Sequence, residues 1–453
     1  MSDCFDVEID ALNLDGKGVA QREGRTVFIA DALAGELVRY ELVKSKPRYE
    51  IGRIVDILRA SNDRVAPRCA HFGFFRGACG GCTLQHLDAQ AQLAFKQQAL
   101  QDALWQVGKV HPDIWLPPID GPIWGYRHRA RLAVRFVRCK GVMLIGFHER
   151  ARSFVANMQS CAILPEHISN LLMPLRELIE SLSIRDRAPQ IEVAVGAQAT
   201  VLVLRVLDPP SESDREALLE FGCIHKVSMW LQSGGPTTAT PMNGEADVLT
   251  LELPEFGVTL PFFPTDFTQV NHQLNTVLVG RVVALLAPEP DDVVVDFFCG
   301  LGNFTLPLAT RARRVIGLEG STTLMARAEQ AAQQNGLAQR TVFAARDLFE
   351  WTAQDWDALV QTHGRAADSA GCIDRVLIDP PRSGALAVTE VLAATQTPPR
   401  RIVYVSCNPE TLARDTAILV HKGRWRLRAA GVVNMFPHTA HVESLAVFEP
   451  AAL

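Results

Sequence analysis

The second half of the chain alternates short apolar runs with helix-length segments, and this pattern limits the fold more than any other feature of the sequence. The runs are rich in Val, Ile, Leu and Phe, and they occupy residues 293–298, 315–318, 341–345, 375–378 and 401–405. Strands that alternate with helices pair as a parallel sheet, because each helix returns the chain to the same edge. Runs that are apolar throughout fit strands covered on both faces. We therefore expect an α/β domain over residues 266–453.

The first part of the chain has short strands separated by turns. The predicted strands are residues 5–12, 25–29, 37–43 and 49–57. A turn at Asp15-Gly16-Lys17-Gly18 follows the first of them. Short, evenly spaced strands within about 60 residues are typical of a small closed β-barrel. We assign residues 1–60 to such a barrel.

The middle of the chain is less regular and mixes both kinds of element. Helices are predicted at residues 87–107 and 165–183, a hairpin at 126–148, and strands at 190–194 and 199–207. We expect an α+β domain over residues 61–265, which gives a multidomain α/β protein. Residues 362–371 are polar and small, and we predict an exposed loop there.

The overall charge excludes a histone-like binder but leaves local binding of nucleic acid open. The chain has 453 residues and a net charge of −5. Its cations concentrate in two places, on the barrel (Arg39, Lys44, Lys46, Arg48, Arg53) and on the hairpin (Arg127, Arg129, Arg131, Arg135, Arg138, Lys140). A ladder of cations on a hairpin can follow a phosphate backbone. The alternative is a solvated strand edge kept positive against aggregation.

The sequence also predicts where the protein resides. No apolar stretch approaches the roughly 18–20 residues that a membrane span needs, and the N-terminus has no basic-then-apolar signal pattern. We expect a cytoplasmic monomer that has no contact with a membrane.

A glycine-containing loop after the first apolar run predicts a cofactor site. Residues 296–304 read DFFCGLGNF, and Glu319 ends the next run. Glycines let the backbone approach a ligand closely, and an acidic residue about 20 positions further on can meet a ribose. The segment lacks the third glycine of a dinucleotide fingerprint. It resembles motif I of class I methyltransferases, which bind S-adenosyl-L-methionine.

Three further motifs follow later strands. Residues 378–382 read IDPPR, 405–409 read VSCNP, and 438–444 read HTAHVES. The two prolines stiffen the turn after Asp379, and Arg382 replaces the aromatic residue of methyltransferases that act on exocyclic amines. Cys407 at a strand end in a cofactor cleft is a candidate nucleophile, although a lone cysteine is usually a small core residue. Glu443 is a candidate base, with two histidines near it in sequence.

A thiol and a carboxylate together suit methylation at C5 of uracil. Addition of a thiolate to C6 makes C5 nucleophilic enough to attack a methyl group on a sulfonium. A base must then remove the C5 proton, so that elimination frees the enzyme. The sequence thus offers Cys407 and Glu443 for these two roles.

These motifs, together with residues 267–271 (FTQVN), resemble the RNA uracil-C5 methyltransferase family, and most closely its ribosomal RNA branch. The resemblance covers the whole chain. It implies that Cys407 is the nucleophile, that Glu443 is the base and that 23S ribosomal RNA is the substrate. It also implies that the N-terminal barrel is a TRAM domain that holds RNA. The cofactor site that it implies comprises Gln269, Phe298, Asn303, Glu319, Asp347 and Asp379.

The resemblance also gives a role to four of the ten cysteines. The family ligates a [4Fe-4S] cluster, and the matching positions are Cys69, Cys79, Cys82 and Cys161. Nine residues separate Cys69 from Cys79, and residues 74–77 (FFRG) look like an insertion between ligands. A structural zinc site is the alternative.

Three other functions stay open at this point. A transfer-RNA uracil methyltransferase of the same family typically lacks the barrel and the cysteine cluster. A cytosine-C5 RNA methyltransferase usually has proline before its cysteine, whereas Ser406 stands here. A non-catalytic RNA-binding assembly factor would not need both Cys407 and Glu443.

Overall fold

The fold was taken from a computed structural model of the chain, which describes residues 4–150, 152–244, 247–365 and 372–451. Within these residues the strands are β1 (Cys4–Glu8), β2 (Ala11–Leu12), β3 (Gly18–Arg22), β4 (Arg25–Ala30), β5 (Leu37–Ser45), β6 (Tyr49–Arg59), β7 (Ile114–Trp115), β8 (Arg129–Val137), β9 (Val142–Gly146), β10 (Gln190–Val195), β11 (Thr200–Arg205), β12 (Ser228–Gln232), β13 (Ala239–Pro241), β14 (Leu249–Leu253), β15 (Val258–Phe262), β16 (Val293–Phe297), β17 (Arg314–Glu319), β18 (Thr341–Ala345), β19 (Arg375–Ile378), β20 (Arg401–Ser406), β21 (Trp425–Val433) and β22 (Glu443–Pro450).

The helices of the same residues are α1 (Ala89–Ala103), α2 (Glu166–Ser169), α3 (Leu172–Ser181), α4 (Glu212–His225), α5 (His272–Leu286), α6 (Thr305–Ala309), α7 (Thr322–Gln334), α8 (Ala353–His363), α9 (Leu386–Ala394) and α10 (Pro409–Ala417). Turns of π-helix extend α1 over Leu104–Gly108 and α10 over Ile418–Lys422. None of the helices in the described ranges combines the length and the apolar character that a membrane crossing requires.

The six N-terminal strands form one curled sheet in the order β1-β5-β6-β4-β3-β2. Its two ends, β1 and β2, are successive parts of one segment, and the Asp10 amide between them donates to the carbonyl of Val19 in β3. The sheet therefore returns on itself, as expected for a small barrel. Its interior is apolar (Val7, Ile9, Ala20, Val27, Ile29, Ala32, Val38, Tyr40).

A second sheet follows in the order β13-β12-β11-β10-β8-β9. It contains the predicted hairpin, since β8 and β9 pair antiparallel. The predicted helix at 165–183 is broken into α2 and α3. Pro174 explains the break, because it has no N–H to donate and is tolerated only in the first turn of a new helix.

The third sheet has the order β18-β17-β16-β19-β20-β22-β21-β7. Strands β16 to β20 are parallel, as the apolar runs predicted. The two strands after β20 depart from this expectation, because β22 is antiparallel to both β20 and β21. As a result, the start of β22 lies at the edge where β20 ends.

The chain forms two compact units. Unit 1 comprises residues 1–95, 122–247 and 436–441, and unit 2 comprises residues 96–121, 248–435 and 442–453. The first two sheets belong to unit 1 and the third to unit 2. The domain boundaries drawn after residues 60 and 265 remain predictions. The predicted loop at 362–371 begins within α8, and its residues 366–371 lie outside the described part of the chain.

Candidate functional site

The strand order of unit 2 brings four of the predicted motifs to one edge of the third sheet. Parallel strands place ligands beyond their carboxyl ends. Here the loop at 298–304 follows β16, Asp379 follows β19 and Cys407 follows β20, and these three strands are neighbours. Antiparallel β22 begins there, and its Ser444 pairs with Ser406, so that Glu443 lies opposite Cys407.

Cys407 is a half-buried thiol with a raised pKa. Burial is the main cause, and the carboxylates of Glu443 and Asp379 add to it, which together bring the pKa to about 11. Arg382 acts in the opposite direction and stabilises the thiolate. At neutral pH the group is therefore a thiol, and it needs a proton acceptor or a positive neighbour before it can attack.

Glu443 is buried, with 3% of its surface exposed. Desolvation raises its pKa from 4.5 to about 7, and Arg382 opposes this rise. A carboxyl group with such a pKa exchanges protons readily near neutral pH, which is the property that a general base needs. Asp379 is half-buried, and its pKa is also raised, mainly by desolvation and further by Glu443.

The two loops that carry Asp379 and Cys407 are tied to each other by hydrogen bonds. The Asn408 side chain donates to the carbonyl of Arg382 (3.2 Å), and the hydroxyl of Thr411 donates to the same oxygen (3.3 Å). The oxygen Oδ1 of Asn408 caps α10 by accepting from the amide of Glu410. Pro409 then occupies the first helical position, for which its fixed φ is suited.

The loop at 298–304 has the backbone that a ligand-binding turn requires. Gly300 and Gly302 adopt positive φ angles of 54° and 89°, and Phe298 does so at 63° without being glycine. A non-glycine residue in this region is strained, and such strain clusters at ligand sites. The Phe298 ring contacts Phe349, at a centroid distance of 5.7 Å.

Two carboxylates stand beside this loop. Asp296 is fully buried and accepts from the hydroxyl of Thr305 (2.6 Å), while its second oxygen has no hydrogen-bond partner. Burial raises its pKa to about 8, with smaller effects from Asp379 and Glu319. Glu319 accepts through one oxygen from the amides of Gly320 and Ser321. The unpartnered oxygen and the two glycines fit a polar ligand such as S-adenosyl-L-methionine.

The remaining predicted cofactor residues have less direct support. Asn303 exchanges two side-chain hydrogen bonds with Asn275 (2.9 and 3.0 Å). Asp347 is exposed and accepts from the amide of Phe349. Gln269 is half-buried between β15 and α5. Asn275 was missed by the sequence reasoning, although a buried asparagine on the apolar helix α5 was a signal.

The other cysteine of this region, Cys299, packs in the core. It is 4% exposed and lies in a cluster with Met325 and Ala328. A side chain at Gly317 would approach its sulfur to 2.9 Å. The sequence left this cysteine without a role, and the structure assigns it to packing.

The four cysteines predicted as cluster ligands are all in unit 1. Cys79, Cys82 and Cys161 are buried and Cys69 is half-buried. Burial raises the pKa of Cys79 to about 11 and that of Cys82 to about 12, and each of these two thiols is also affected by Cys69 and Cys161. No set of three or more ligating side chains in metal-binding arrangement occurs among the described residues.

Polar neighbours nevertheless oppose the effect of burial at three of these four thiols. The amide of Gly81 donates to Cys79 Sγ (3.3 Å). The side chain of Gln85 lowers the pKa of Cys82, and backbone groups of Ile163 and Leu164 lower that of Cys161. Hydrogen bonds to sulfur stabilise thiolates and tune iron–sulfur centres. Cys79 therefore has the kind of hydrogen bond that a thiolate ligand needs, and the polar neighbours of Cys82 and Cys161 also favour the ionised form.

The histidines before Glu443 have structural contacts. His438 is buried and stacks on Trp124, with ring centroids 3.9 Å apart. Its backbone amide donates to Gln92 (2.8 Å), and Tyr126 donates to the carbonyl of Pro437. These contacts all lie within unit 1.

The cation ladder on the hairpin is partly neutralised. Glu192 on β10 lies opposite Arg131 and binds both Arg131 and Arg129, and Asp186 binds Arg138. On the barrel, Arg39 pairs with Asp6 and Arg53 with Glu41. The sequence showed no acidic residue among these cations, because their partners come from other segments: Glu192 from β10 and Asp186 from the turn before it. These surfaces are therefore less positive than predicted.

Comparison with known proteins identifies the family of the chain. The model of the tRNA (uracil-5-)-methyltransferase family matches residues 88–449. Proteins of Burkholderia thailandensis, Cupriavidus metallidurans and Bordetella parapertussis are each 53% identical over 98% of this chain and over 94%, 94% and 92% of their own. All three are named 23S rRNA (uracil(1939)-C(5))-methyltransferase RlmD.

Among solved structures, the Pyrococcus abyssi tRNA (uracil-54, C5)-methyltransferase in complex with S-adenosyl-L-homocysteine has a similar fold. Its TM-score is 0.71 at 22% identity, and the match covers 98% of this chain and 100% of that one. This similarity supports the overall fold described above. The family model and the relatives go further and show that the chain belongs to the tRNA (uracil-5-)-methyltransferase family.

Proposed function

We propose that the protein methylates C5 of a uridine in 23S ribosomal RNA, at a site of the uracil(1939) type. The observation that carries this proposal is the placement of Cys407 opposite Glu443 at the end of β20, beside the loop at 298–304. The relatives named for this reaction align with 98% of the chain. S-adenosyl-L-methionine supplies the methyl group.

In the proposed mechanism, the thiolate of Cys407 adds to C6 of the uracil. This addition makes C5 nucleophilic, and C5 takes the methyl group from the sulfonium of S-adenosyl-L-methionine, whose S–CH3 bond breaks so that S-adenosyl-L-homocysteine leaves. Glu443 then removes the proton from C5, and elimination releases Cys407 from the methylated base. Arg382 supports the first step, because it lowers the pKa of the Cys407 thiol. The target base must leave its stack to reach the thiol, at a cost of a few kcal/mol, which a looped RNA reduces.

The proposal assigns the cofactor site to Gln269, Phe298, Asn303, Glu319, Asp347 and Asp379. Four of these residues lie at the carboxyl ends of the parallel strands or in the loops that follow them: Phe298, Asn303, Glu319 and Asp379. Gln269 and Asp347 are included on the family resemblance.

The proposal also includes a [4Fe-4S] cluster on Cys69, Cys79, Cys82 and Cys161, and a TRAM-type role for the N-terminal barrel. The burial of three of the thiols and the hydrogen bond from the Gly81 amide to Cys79 Sγ support the first of these. The curled six-stranded sheet supports the second. A cluster with four thiolate ligands would link the segments that carry the cysteines, and we assign it a structural role.

The test of the proposed function is methyl transfer by the purified protein. Transcripts of 23S rRNA and of tRNA are incubated separately with labelled S-adenosyl-L-methionine. We expect 5-methyluridine in the 23S transcript only. Labelling of the tRNA alone would favour the tRNA enzyme of the same family, and labelled cytosine would contradict the proposed reaction.

A further inference from the structure

An exposed tryptophan outside the site marks a surface of unit 2. Trp105 lies in the π-helical turn Leu104–Gly108 that follows α1, and 53% of its surface is exposed. Its ring stacks on His111, with a centroid distance of 4.5 Å and an interplanar angle of 25°. The indole is therefore held in a fixed orientation although it faces water. An aromatic ring presented in this way is suited to stacking on a partner.

The backbone beneath this ring is unusual. The last residue of the turn, Gly108, accepts a hydrogen bond from the ring of His421 (2.9 Å), which belongs to the second π-helical turn, Ile418–Lys422. Lys109 ends the first turn in the left-handed conformation, with φ of 54°. Turns of π-helix are rare and are frequent at functional sites. Two of them in contact give a second reason to regard this surface as functional.

Three cations belong to the two π-helical turns or directly follow them. The ammonium group of Lys109 lies 6.0 Å from the centroid of Trp105, and Lys422 and Arg424 lie on the adjoining turn and just after it. None of these three cations has an ion pair within the described part of the chain. Two acidic residues lie in the same segment. Asp113 is neutralised by Arg426 and Arg428, whereas Asp102 at the end of α1 is exposed and accepts a hydrogen bond from Gln98. The cations therefore outnumber the unneutralised acidic groups by three to one.

We propose that this surface, formed by Trp105, Lys109, His111, Lys422 and Arg424, binds single-stranded or looped RNA. A base stacks on Trp105, and the cations bind the flanking phosphates. Sites for single-stranded nucleic acid combine aromatic platforms with cations in this way, whereas the centres of protein interfaces are depleted of lysine. This inference rests on the proposed function in one respect, because it takes the bound RNA to be the substrate.

The test measures RNA affinity and methyl transfer separately. Trp105→Ala should weaken binding of a 23S rRNA transcript by about 5- to 100-fold, the effect of losing one stacked base. The KM for the transcript should rise by a similar factor, while kcat and the affinity for S-adenosyl-L-methionine stay unchanged. Trp105→Phe should retain most of the affinity. Replacing Lys109, Lys422 and Arg424 together with alanine should reduce the slope of log affinity against log salt by about 2.

Ile224→Ala is the matched control, because Ile224 is 66% exposed on α4 of unit 1 and lies outside the proposed surface. Wild-type RNA affinity in Trp105→Ala would overturn the inference. So would a change of oligomeric state in that variant, seen by sedimentation, since it would assign the surface to protein contact. Failure of the proposed function would give a different result from failure of this inference. In that case the wild-type protein would bind the transcript without methylating it.

Discussion

At the scale of single residues, the proposed chemistry depends on two groups whose pKa values are raised above their ordinary values. Burial brings the pKa of Glu443 to about 7 and that of Cys407 to about 11. The first is poised to accept a proton at neutral pH, and the second is a thiol until substrate or a positive neighbour favours its ionised form. Different pKa values in one site are typical of groups with different catalytic duties.

The raised pKa of Glu443 predicts a pH dependence. The base is active only when ionised, so that breakdown of the covalent protein–RNA adduct should accelerate about tenfold per pH unit below pH 7 and level off above it. Rapid quenching followed by a denaturing gel measures this rate. A breakdown rate that is constant from pH 5.5 to pH 8 would contradict the role of Glu443.

Substitution of the two residues should stop the reaction at different stages. Glu443→Gln should accumulate a protein–RNA adduct, because the nucleophile remains while the base is lost. Cys407→Ala should give no adduct and no methyl transfer, yet should still bind S-adenosyl-L-methionine. A denaturing gel with labelled RNA detects the adduct. Free protein only in Glu443→Gln, or methyl transfer by Cys407→Ala, would contradict the covalent mechanism.

At the scale of elements, helix α10 fixes the loops that carry the reacting groups. Its Asp415 is fully buried and accepts from the amide of Ala385 (2.8 Å) and the hydroxyl of Tyr404 (2.7 Å). The loop after β19 and the strand β20 are thus joined to one carboxylate. Gly384 in that loop has a φ of 76° and lies against α10, where a Cβ atom would approach Asp415 to 2.7 Å and Arg414 to 2.5 Å.

Gly384→Ala should therefore lower both stability and activity. The added methyl group combines backbone strain of about 1 kcal/mol with a steric clash against α10. Gly336→Ala is the matched control, since Gly336 has a φ of 68° and open space around its Cα. We expect a larger loss of unfolding free energy in Gly384→Ala than in Gly336→Ala, measured by urea denaturation. Equal losses would show that the contact of Gly384 with α10 does not contribute to the free energy of unfolding.

At the scale of the whole molecule, the reacting groups and the proposed cluster ligands belong to different units. Cys407 and Glu443 are in unit 2, whereas the four cysteines are in unit 1.

The proposed cluster predicts a defined iron content. The protein purified without oxygen should contain about four iron atoms and absorb in the visible range, and Cys82→Ser should lose most of both. Cys223→Ser is the control, because Cys223 is exposed on α4. Zinc in place of iron would support the alternative metal site, and unchanged iron in Cys82→Ser would exclude this cysteine as a ligand.

The sequence predicted the parallel strands of unit 2 closely, because strands inside such a sheet are apolar at nearly every position. The run at 293–298 differs by one residue from β16, which is buried throughout. The run at 341–345 coincides with the edge strand β18, which is apolar although it is only half-buried. Contacts between distant segments could not be predicted in this way. The pairing of Glu192 with Arg129 and Arg131 depends on the register of β8 against β10, and Asn275 meets Asn303 only once α5 has packed. Single-sequence patterns give elements and strand ends, but not such partners.

The most direct test of the central claim is mass-spectrometric mapping of 5-methyluridine in 23S rRNA from cells that lack this protein. We predict that one 5-methyluridine disappears, that the wild-type gene restores it, and that a Cys407→Ala variant does not. An unchanged set of 5-methyluridines in 23S rRNA, or restoration by the Cys407→Ala variant, would contradict the account.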